Sequence, residues 1–164
     1  MLVLGIDCGS VATGFGLVSS DGRRHTTLAS GTIRFSRTAD TNFAQRLQTI
    51  HGKLTELIDT HKPNCVAIEE VFYSQNVRTA LKLCHVRGVA MQAAAARGLP
   101  VMEYSPLEVK SAVTGYGRAD KNQVLHMVRT LLRLTEDPDS LDASDALAVA
   151  ICHIHTIGAA ACET

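Results

Sequence analysis

Two aspartates stand three residues apart at the front of an apolar stretch, LDASDALAVA (141–150). A helix here would place Asp142 and Asp145 on one face, with Cβ atoms about 5–6 Å apart. Like charges at that spacing repel unless a cation lies between them. Interaction with the helix dipole is enough to explain a carboxylate in the first turn, at Asp142. Asp145 lies deeper, among Ala and Leu, and needs another reason.

Further carboxylates follow apolar runs that are typical of buried strands. Asp7 follows LVLGI (2–6), and Glu69 and Glu70 follow CVAI (65–68). Ligands bind at the carboxyl ends of strands in open α/β sheets. If the two strands are neighbours, Asp7 and one glutamate meet at that edge. Successive strand residues face opposite ways, so at least one glutamate is expected to face solvent. Asp7 taken alone could instead start a turn.

Clustered carboxylates indicate a divalent cation. Mg²⁺ prefers oxygen ligands and is held by a few carboxylates together with water and substrate phosphate. Two such ions about 3.5–4 Å apart can activate a water molecule and stabilise the leaving oxygen of a phosphodiester. Three or four carboxylates from separate elements suit that chemistry. We therefore expect Mg²⁺, two ions per site, with Mn²⁺ as a substitute.

The hydrophobic pattern predicts the elements that must position these residues. Apolar runs and turn residues predict an antiparallel meander of three strands over about 2–35, with SDGR (20–23) as a hairpin turn. The other predicted elements are strands at 65–71 and 99–105 and helices at 41–61, 76–97, 106–114, 120–134 and 141–156.

This order predicts an α/β fold with a five-stranded mixed sheet, an antiparallel meander plus parallel strands, flanked by helices on both faces. The 164 residues suit a single domain, placed at 1–156 and followed by a short C-terminal tail at 157–164. No stretch is long and apolar enough to span a membrane, and the N-terminal run lacks the cationic leader of a signal peptide. Five scattered cysteines indicate reduced thiols and a cytoplasmic location.

A net charge of zero conceals a strong asymmetry along the chain. Residues 78–133 carry nine Lys or Arg against three Asp or Glu, whereas residues 134–164 carry six acidic residues and no Lys or Arg. A basic middle is compatible with a polyanionic partner, and an acidic segment that holds the aspartate pair is compatible with cations. Both segments could also be ordinary solvated surface.

Five segments taken in order resemble the RuvC-type Holliday junction resolvases, which are crossover junction endodeoxyribonucleases. They are LGIDCGSVATGFGLV (4–18), AIEEVF (67–72), TALKLCHVRGVA (79–90), KNQVLHMVRTLL (121–132) and DASDALAVAICH (142–153). The first segment alone is also similar to the opening of actin-like ATPases and sugar kinases. The ordered set, with its final D-x-x-D helix, is specific and covers residues 2 to about 156.

The resemblance implies a ribonuclease H-like fold and a metal-dependent endonuclease of DNA recombination and repair. It also implies a homodimer that nicks two strands of a four-way DNA junction symmetrically, in contact with a branch-migration motor. The implied metal-binding and catalytic carboxylates are Asp7, Glu69, Asp142 and Asp145, with Lys121 also catalytic.

The resemblance also implies a set of residues that contact DNA: Phe72, Tyr73, Asn76, Arg78, Lys110 and Lys121. Phe72 matches a position that inserts beside the bases at the junction centre, and Tyr73 would assist by stacking. Core packing is the alternative for both aromatics, although the polar SQNVR (74–78) that follows indicates an exposed segment. For the lysines the alternative is a solvated helix face. The Ala-rich helix at 79–97 is the candidate dimer face.

Two features depart from the resemblance or stand outside it. Cys8 replaces the usual Pro after the first Asp, which would place a thiol open to oxidation or soft metals beside the site. His153 and His155 are expected on the surface of the last helix rather than as zinc ligands.

Two rival functions remain. An actin-like ATPase or sugar-kinase lobe would need a second lobe and a second phosphate loop. A non-catalytic junction-binding module would have no use for the acids, because carboxylates repel phosphate unless metal is present.

Overall fold

The computed structural model describes residues 1–9, 11–34, 42–70 and 76–162, and its elements follow the predicted order. The elements are β1 (Leu2–Asp7), β2 (Ala12–Ser20), β3 (His25–Arg34), α1 (Phe43–His61), β4 (Cys65–Glu69), α2 (Val77–Ala95), β5 (Val101–Tyr104), α3 (Pro106–Thr114), α4 (Lys121–Leu132) and α5 (Leu141–Cys162).

The strands form one mixed sheet in the order β3-β2-β1-β4-β5. The pairs β1–β2 and β2–β3 are antiparallel, and β1–β4 and β4–β5 are parallel. The predicted meander with added parallel strands is therefore confirmed. Because β1 and β4 are direct neighbours, their carboxyl ends meet at one edge of the sheet.

Side-chain alternation divides the core into two layers, one on each face of the sheet. On one face, Val3 of β1 and Ala67 of β4 are fully buried against α3, α4 and α5. On the other face, Leu4 and Ile68 are fully buried against α1 and α2. Helices therefore cover both faces, as the sequence predicts.

Helix α5 is the central helix of the first layer. Every residue from Ala146 to Cys152 is at most 1% exposed, which fits a helix that is apolar on all sides. Its predicted end near residue 156 is wrong, since α5 continues to Cys162. Gly158 does not break it, because the alanines that follow are the strongest helix formers. The division into a domain at 1–156 and a tail at 157–164 stays a prediction.

His153 does not lie on the helix surface, and that prediction is wrong. Its ring is 2% exposed, with Nε2 3.1 Å from Cys65 Sγ and Nδ1 2.7 Å from Tyr104 Oη. A buried imidazole needs partners for both nitrogens, and here β4 and β5 supply them. This polar network joins α5 to β4 and to the edge strand β5.

None of the helices in the described ranges is long and apolar enough to cross a bilayer. The four cysteines whose side chains are described, Cys8, Cys65, Cys84 and Cys152, are all free thiols.

Candidate active site

Asp7 and Glu69 come together at the carboxyl edge of the sheet. Ile6 pairs with Ile68 in the parallel ladder, so the acids that follow them are neighbours. Asp7 and Glu69 face the α5 side, where both line the same cleft. Glu70 is exposed, and by alternation it points the other way. Periodicity alone does not choose between the two glutamates, and the structure places Glu69 in the cleft.

Three glycines of β1 and β2 let the backbone of α5 lie directly on the sheet. A Cβ atom at Gly5 would overlap the carbonyl oxygen of Ala146, and one at Gly14 would overlap that of Asp142. A Cβ atom at Gly16 would lie 2.7 Å from Leu147 Cδ2. Only glycine permits so close an approach. These contacts fix the height of α5, and so of its aspartates, above the strand ends.

Ser140 and Thr32 anchor the first turn of α5, and the sequence reasoning missed both. Ser140 Oγ accepts a hydrogen bond from the Ala143 amide at 3.1 Å, as an N-cap does, and it also hydrogen-bonds Thr32 Oγ1 of β3. The sequence contains a signal for this cap, because serine immediately before an apolar helix is a common capping residue. The cap orients the turn that carries Asp142.

The acids of β1, β4 and α5 interact electrostatically. Burial, reinforced by the charges of Glu69, Asp145 and Asp142, raises the pKa of Asp7 to about 7. Burial and then Asp145 raise the pKa of Glu69 to about 6, against the opposing charges of Lys121 and Lys110. No hydrogen bond from the described part of the chain reaches either of these two carboxylates. The ionised cluster is therefore short of positive charge.

Lysines from α3 and α4 supply part of that charge. Lys121 Nζ lies 3.3 Å from Asp145 Oδ2, and Asp145 is the main cause of the raised pKa of Lys121. Asp120 caps α4 with its side chain and so sets the direction of the residue that follows it. Lys110 and Lys121 line a cleft of about 270 Å³, together with Asp7, Glu69 and Asp145.

Asp142 interacts with this group through space but is not among the residues that line the cleft. The structure thus brings Asp7, Glu69, Asp145, Lys110 and Lys121 into one cavity, with Asp142 beside it.

The donor chemistry of the cleft fits Mg²⁺. All the acidic donors are carboxylate oxygens, which Mg²⁺ prefers, and their mutual repulsion is relieved by a cation. The arrangement is open: in the described residues no three His, Cys, Asp or Glu side chains are disposed to hold a metal ion. Closure around an ion would require the carboxylates to turn toward one another.

Cys8 is shielded from the chemistry of the cleft. It follows Asp7, points to the opposite face of the sheet and is 8% exposed within the layer of α1 and α2. Burial raises the pKa of Cys8 to about 12, which disfavours the reactive thiolate. Burial and the raised pKa both count against the expected oxidation liability.

The predicted DNA-contacting residues fall into three groups. Phe72 and Tyr73 lie outside the described residues. Asn76 caps α2, accepting a hydrogen bond from the Thr79 amide at 3.2 Å, and Arg78 is exposed in the first turn of α2. Lys110 and Lys121 lie in the cleft. Among the members of this set that the structure describes, the two lysines are the ones brought together with the acids.

Comparison with known proteins gives a consistent result. The sequence model described as "Crossover junction endodeoxyribonuclease RuvC" matches residues 3–153. The protein of that name from Koribacter versatilis is 52% identical over 157 residues, which is 95% of this chain and 93% of the relative. The protein of the same name from Pelotomaculum thermopropionicum is 49% identical over 155 residues, which is 94% of this chain and 93% of the relative.

Solved structures agree with the sequence matches. The RuvC structure from Thermus thermophilus superposes with a TM-score of 0.87 at 33% identity, covering 96% of this chain and 95% of that one. The structure of the same protein in complex with a Holliday junction substrate superposes with a TM-score of 0.86 at 31% identity, with the same coverage of both chains. A yeast mitochondrial Holliday junction resolvase, Ydc2, shares the fold with a TM-score of 0.67 at 13% identity. The fold is ribonuclease H-like, and the chain belongs to the RuvC family of crossover junction endodeoxyribonucleases.

Proposed function

We propose that this protein resolves four-way DNA junctions by paired, symmetric nicks made by metal-dependent phosphodiester hydrolysis. The supporting observation is the cleft at the ends of β1 and β4, which is lined by Asp7, Glu69 and Asp145 together with Lys110 and Lys121. Acids alone would repel DNA and lysines alone would only bind it. Both together suit a cation and a phosphate in the same cavity.

Asp7, Glu69, Asp142 and Asp145 would hold two Mg²⁺ ions, and Mn²⁺ would substitute. Bound there, the ions would supply an activated water and charge for the leaving oxygen. The raised pKa of Asp7 fits this role, because the carboxylate is poised between proton and cation at neutral pH.

The lysines act on the DNA. Lys121 pairs with Asp145 and would offset the charge that grows on the scissile phosphate. Lys110 would hold the neighbouring phosphate. Phe72 and Tyr73 would stack on bases at the junction centre, and Asn76 and Arg78 would contact the backbone beside them. The nicks would leave 5′-phosphate and 3′-hydroxyl ends.

Two symmetric nicks require a second active site, which we assign to a second copy of this chain. Helix α2 supports this, because Val77 and Leu81 are 68% and 55% exposed on its surface. Small residues along the same helix would allow another helix to approach closely. A two-fold dimer matches the symmetry of a four-way junction. A branch-migration motor as further partner, and a cytoplasmic location that keeps the thiols reduced, complete the proposal.

Asp145→Asn tests the proposal most directly. The variant keeps the size of the side chain but removes its charge. We expect cleavage of a synthetic four-way junction to fall by roughly 10³-fold or more, with junction binding in Ca²⁺ near normal. The matched control is Asp139→Asn, at an exposed acid just before α5, which should cleave normally. Full cleavage by Asp145→Asn would refute the role of the acid cluster.

A further inference from the structure

Two histidines meet at the end of the sheet that lies away from the acids. His25 begins β3 and His155 lies in the last third of α5, yet their Nε2 atoms are 3.3 Å apart. His25 pairs with Ser20, next to the start of β1, whereas Asp7 ends that strand. Five residues of strand separate the two ends by roughly 17 Å. The histidine pair is therefore independent of the cleft.

Both rings are held by their other nitrogen. His155 Nδ1 lies 2.9 Å from the Ala112 carbonyl oxygen, which can only accept, so Nδ1 carries the proton and Nε2 has a free lone pair. His25 Nδ1 lies 3.0 Å from Ser20 Oγ. Hydrogen bonds of this kind orient the histidines of metal sites and raise their basicity.

The separation of the two Nε2 atoms equals that of two ligands on one metal ion. Zn–N bonds are about 2.0–2.1 Å, so two nitrogens at a tetrahedral angle are roughly 3.3–3.4 Å apart. We propose that His25 and His155 form a binding site for a late divalent transition ion such as Zn²⁺, Cu²⁺ or Ni²⁺. Water fills the remaining positions.

The surroundings explain the choice of ion. His25 lines an open cavity of about 380 Å³, which gives an ion access from solvent. Arg23, Arg24 and Arg133 line the same cavity, and their positive charge disfavours ions held by charge alone. Neutral imidazoles bind transition ions by donating lone pairs, and Mg²⁺ has no such preference. The exposed arginines also favour an anionic ligand at an open position.

Binding of the metal ion to the two histidines releases no proton. In the metal-free pair, His25 donates its Nε2–H to His155 Nε2, and Ser20 Oγ donates to His25 Nδ1. When the ion binds, the neutral His25 carries its proton on Nδ1 and donates to Ser20 Oγ. Both Nε2 lone pairs are then available to the ion, and no proton is released.

The test compares His25→Gln and His155→Gln with the control His126→Gln, at an exposed histidine outside the pair. All carry Cys84→Ser, which removes an exposed thiol that could bind the same ions. Zn²⁺ is titrated calorimetrically into the full-length protein with Mg²⁺ in large excess. We expect the parent and the control to bind one equivalent that both pair variants lose or bind at least ~10-fold more weakly.

Retention of that equivalent by either pair variant, or its absence from the parent, would overturn the site. Cu²⁺ electron paramagnetic resonance of the parent gives a readout that does not depend on the variants folding. Two coupled nitrogens at one equivalent support the pair, and fewer than two contradict it. Junction cleavage in Mg²⁺ should be the same for both pair variants and the parent, so failure here leaves the proposed function untouched.

Discussion

The two parts of α5 treat their polar residues in opposite ways. In its first turns, Asp145 and Asp142 interact electrostatically with the acids of β1 and β4, and Lys121 and Lys110 offset the negative charge of the cluster only in part. Further along, His153 is more deeply buried, and both of its ring nitrogens have partners from the sheet. His153 is thus satisfied within the chain. The acids, left in mutual repulsion, mark a place where a cation would complete the structure.

The largest effect on cleavage is expected at the end of β4, where Glu69 and the adjacent Glu70 repeat this contrast. Glu69→Gln removes a carboxylate from the cleft and should lower junction cleavage by roughly 10³-fold. Glu70→Gln changes an exposed residue on the opposite face and should leave cleavage within about twofold, since exposed charges contribute little. Single-turnover cleavage of a labelled junction measures both. Equal losses in the two variants would show that strand alternation does not select the catalytic acid.

A smaller effect is expected where the sheet supports α5. Gly14→Ala forces the carbonyl of Asp142 away and displaces the first turn of the helix, and a shift of about 1 Å can cost roughly 10²-fold in rate. Gly52→Ala is the control, because nothing lies near its added methyl in α1, and it should stabilise the fold by about 0.5–1 kcal/mol. Cleavage rates and thermal melts are compared. Normal cleavage by Gly14→Ala would separate the glycine from the site.

The smallest of these effects concerns stability without divalent cations. The pKa of Asp7 is raised in the folded protein to about 7, so folding disfavours the ionised form. The contribution of Asp7 to stability is therefore fully present below about pH 4 and is lost as the pH rises through about 7. Asp7→Asn does not titrate, so its advantage over the parent should grow with pH to about 1–3 kcal/mol at pH 8.

Urea unfolding in EDTA at pH 4.5 and pH 8 measures this difference. Added Mg²⁺ should stabilise the parent at pH 8 and have little effect on Asp7→Asn. An Asp7→Asn variant that is no more stable than the parent at pH 8 would mean that the acids do not repel in the folded protein.

Much of the site follows from local rules that a sequence contains. Apolar runs that end at an acid predict that Asp7 and Glu69 lie at strand ends. The three-residue spacing predicts that Asp142 and Asp145 lie on one face of a helix. Periodicity could not choose between Glu69 and Glu70, because alternation says that they differ but not which one faces the core. The family resemblance selected Glu69, and the pairing of β1 with β4 agrees with it.

Errors arose where the outcome depended on contacts distant in the chain. The prediction that His153 faces solvent fails because its partners, Cys65 and Tyr104, are 88 and 49 residues away in the sequence. Local pattern does not reveal such partners. The position of Cys8 directly after Asp7 likewise says nothing about the opposite core layer, in which the thiol is buried. The predicted end of α5 near residue 156 is too early, since the helix continues through Gly158 into a run of strong helix formers.

The parallel register of β1 and β4 bears on how this active site can evolve. Two consecutive glutamates look like a duplicated function in which one could replace the other. A one-residue slip of β4 would bring Glu70 to the cleft, but it would also exchange every buried side chain of the strand between the two core layers. Glu70 therefore cannot replace Glu69 in the cleft. A substitution that removes Glu69 is not compensated by the neighbouring acid.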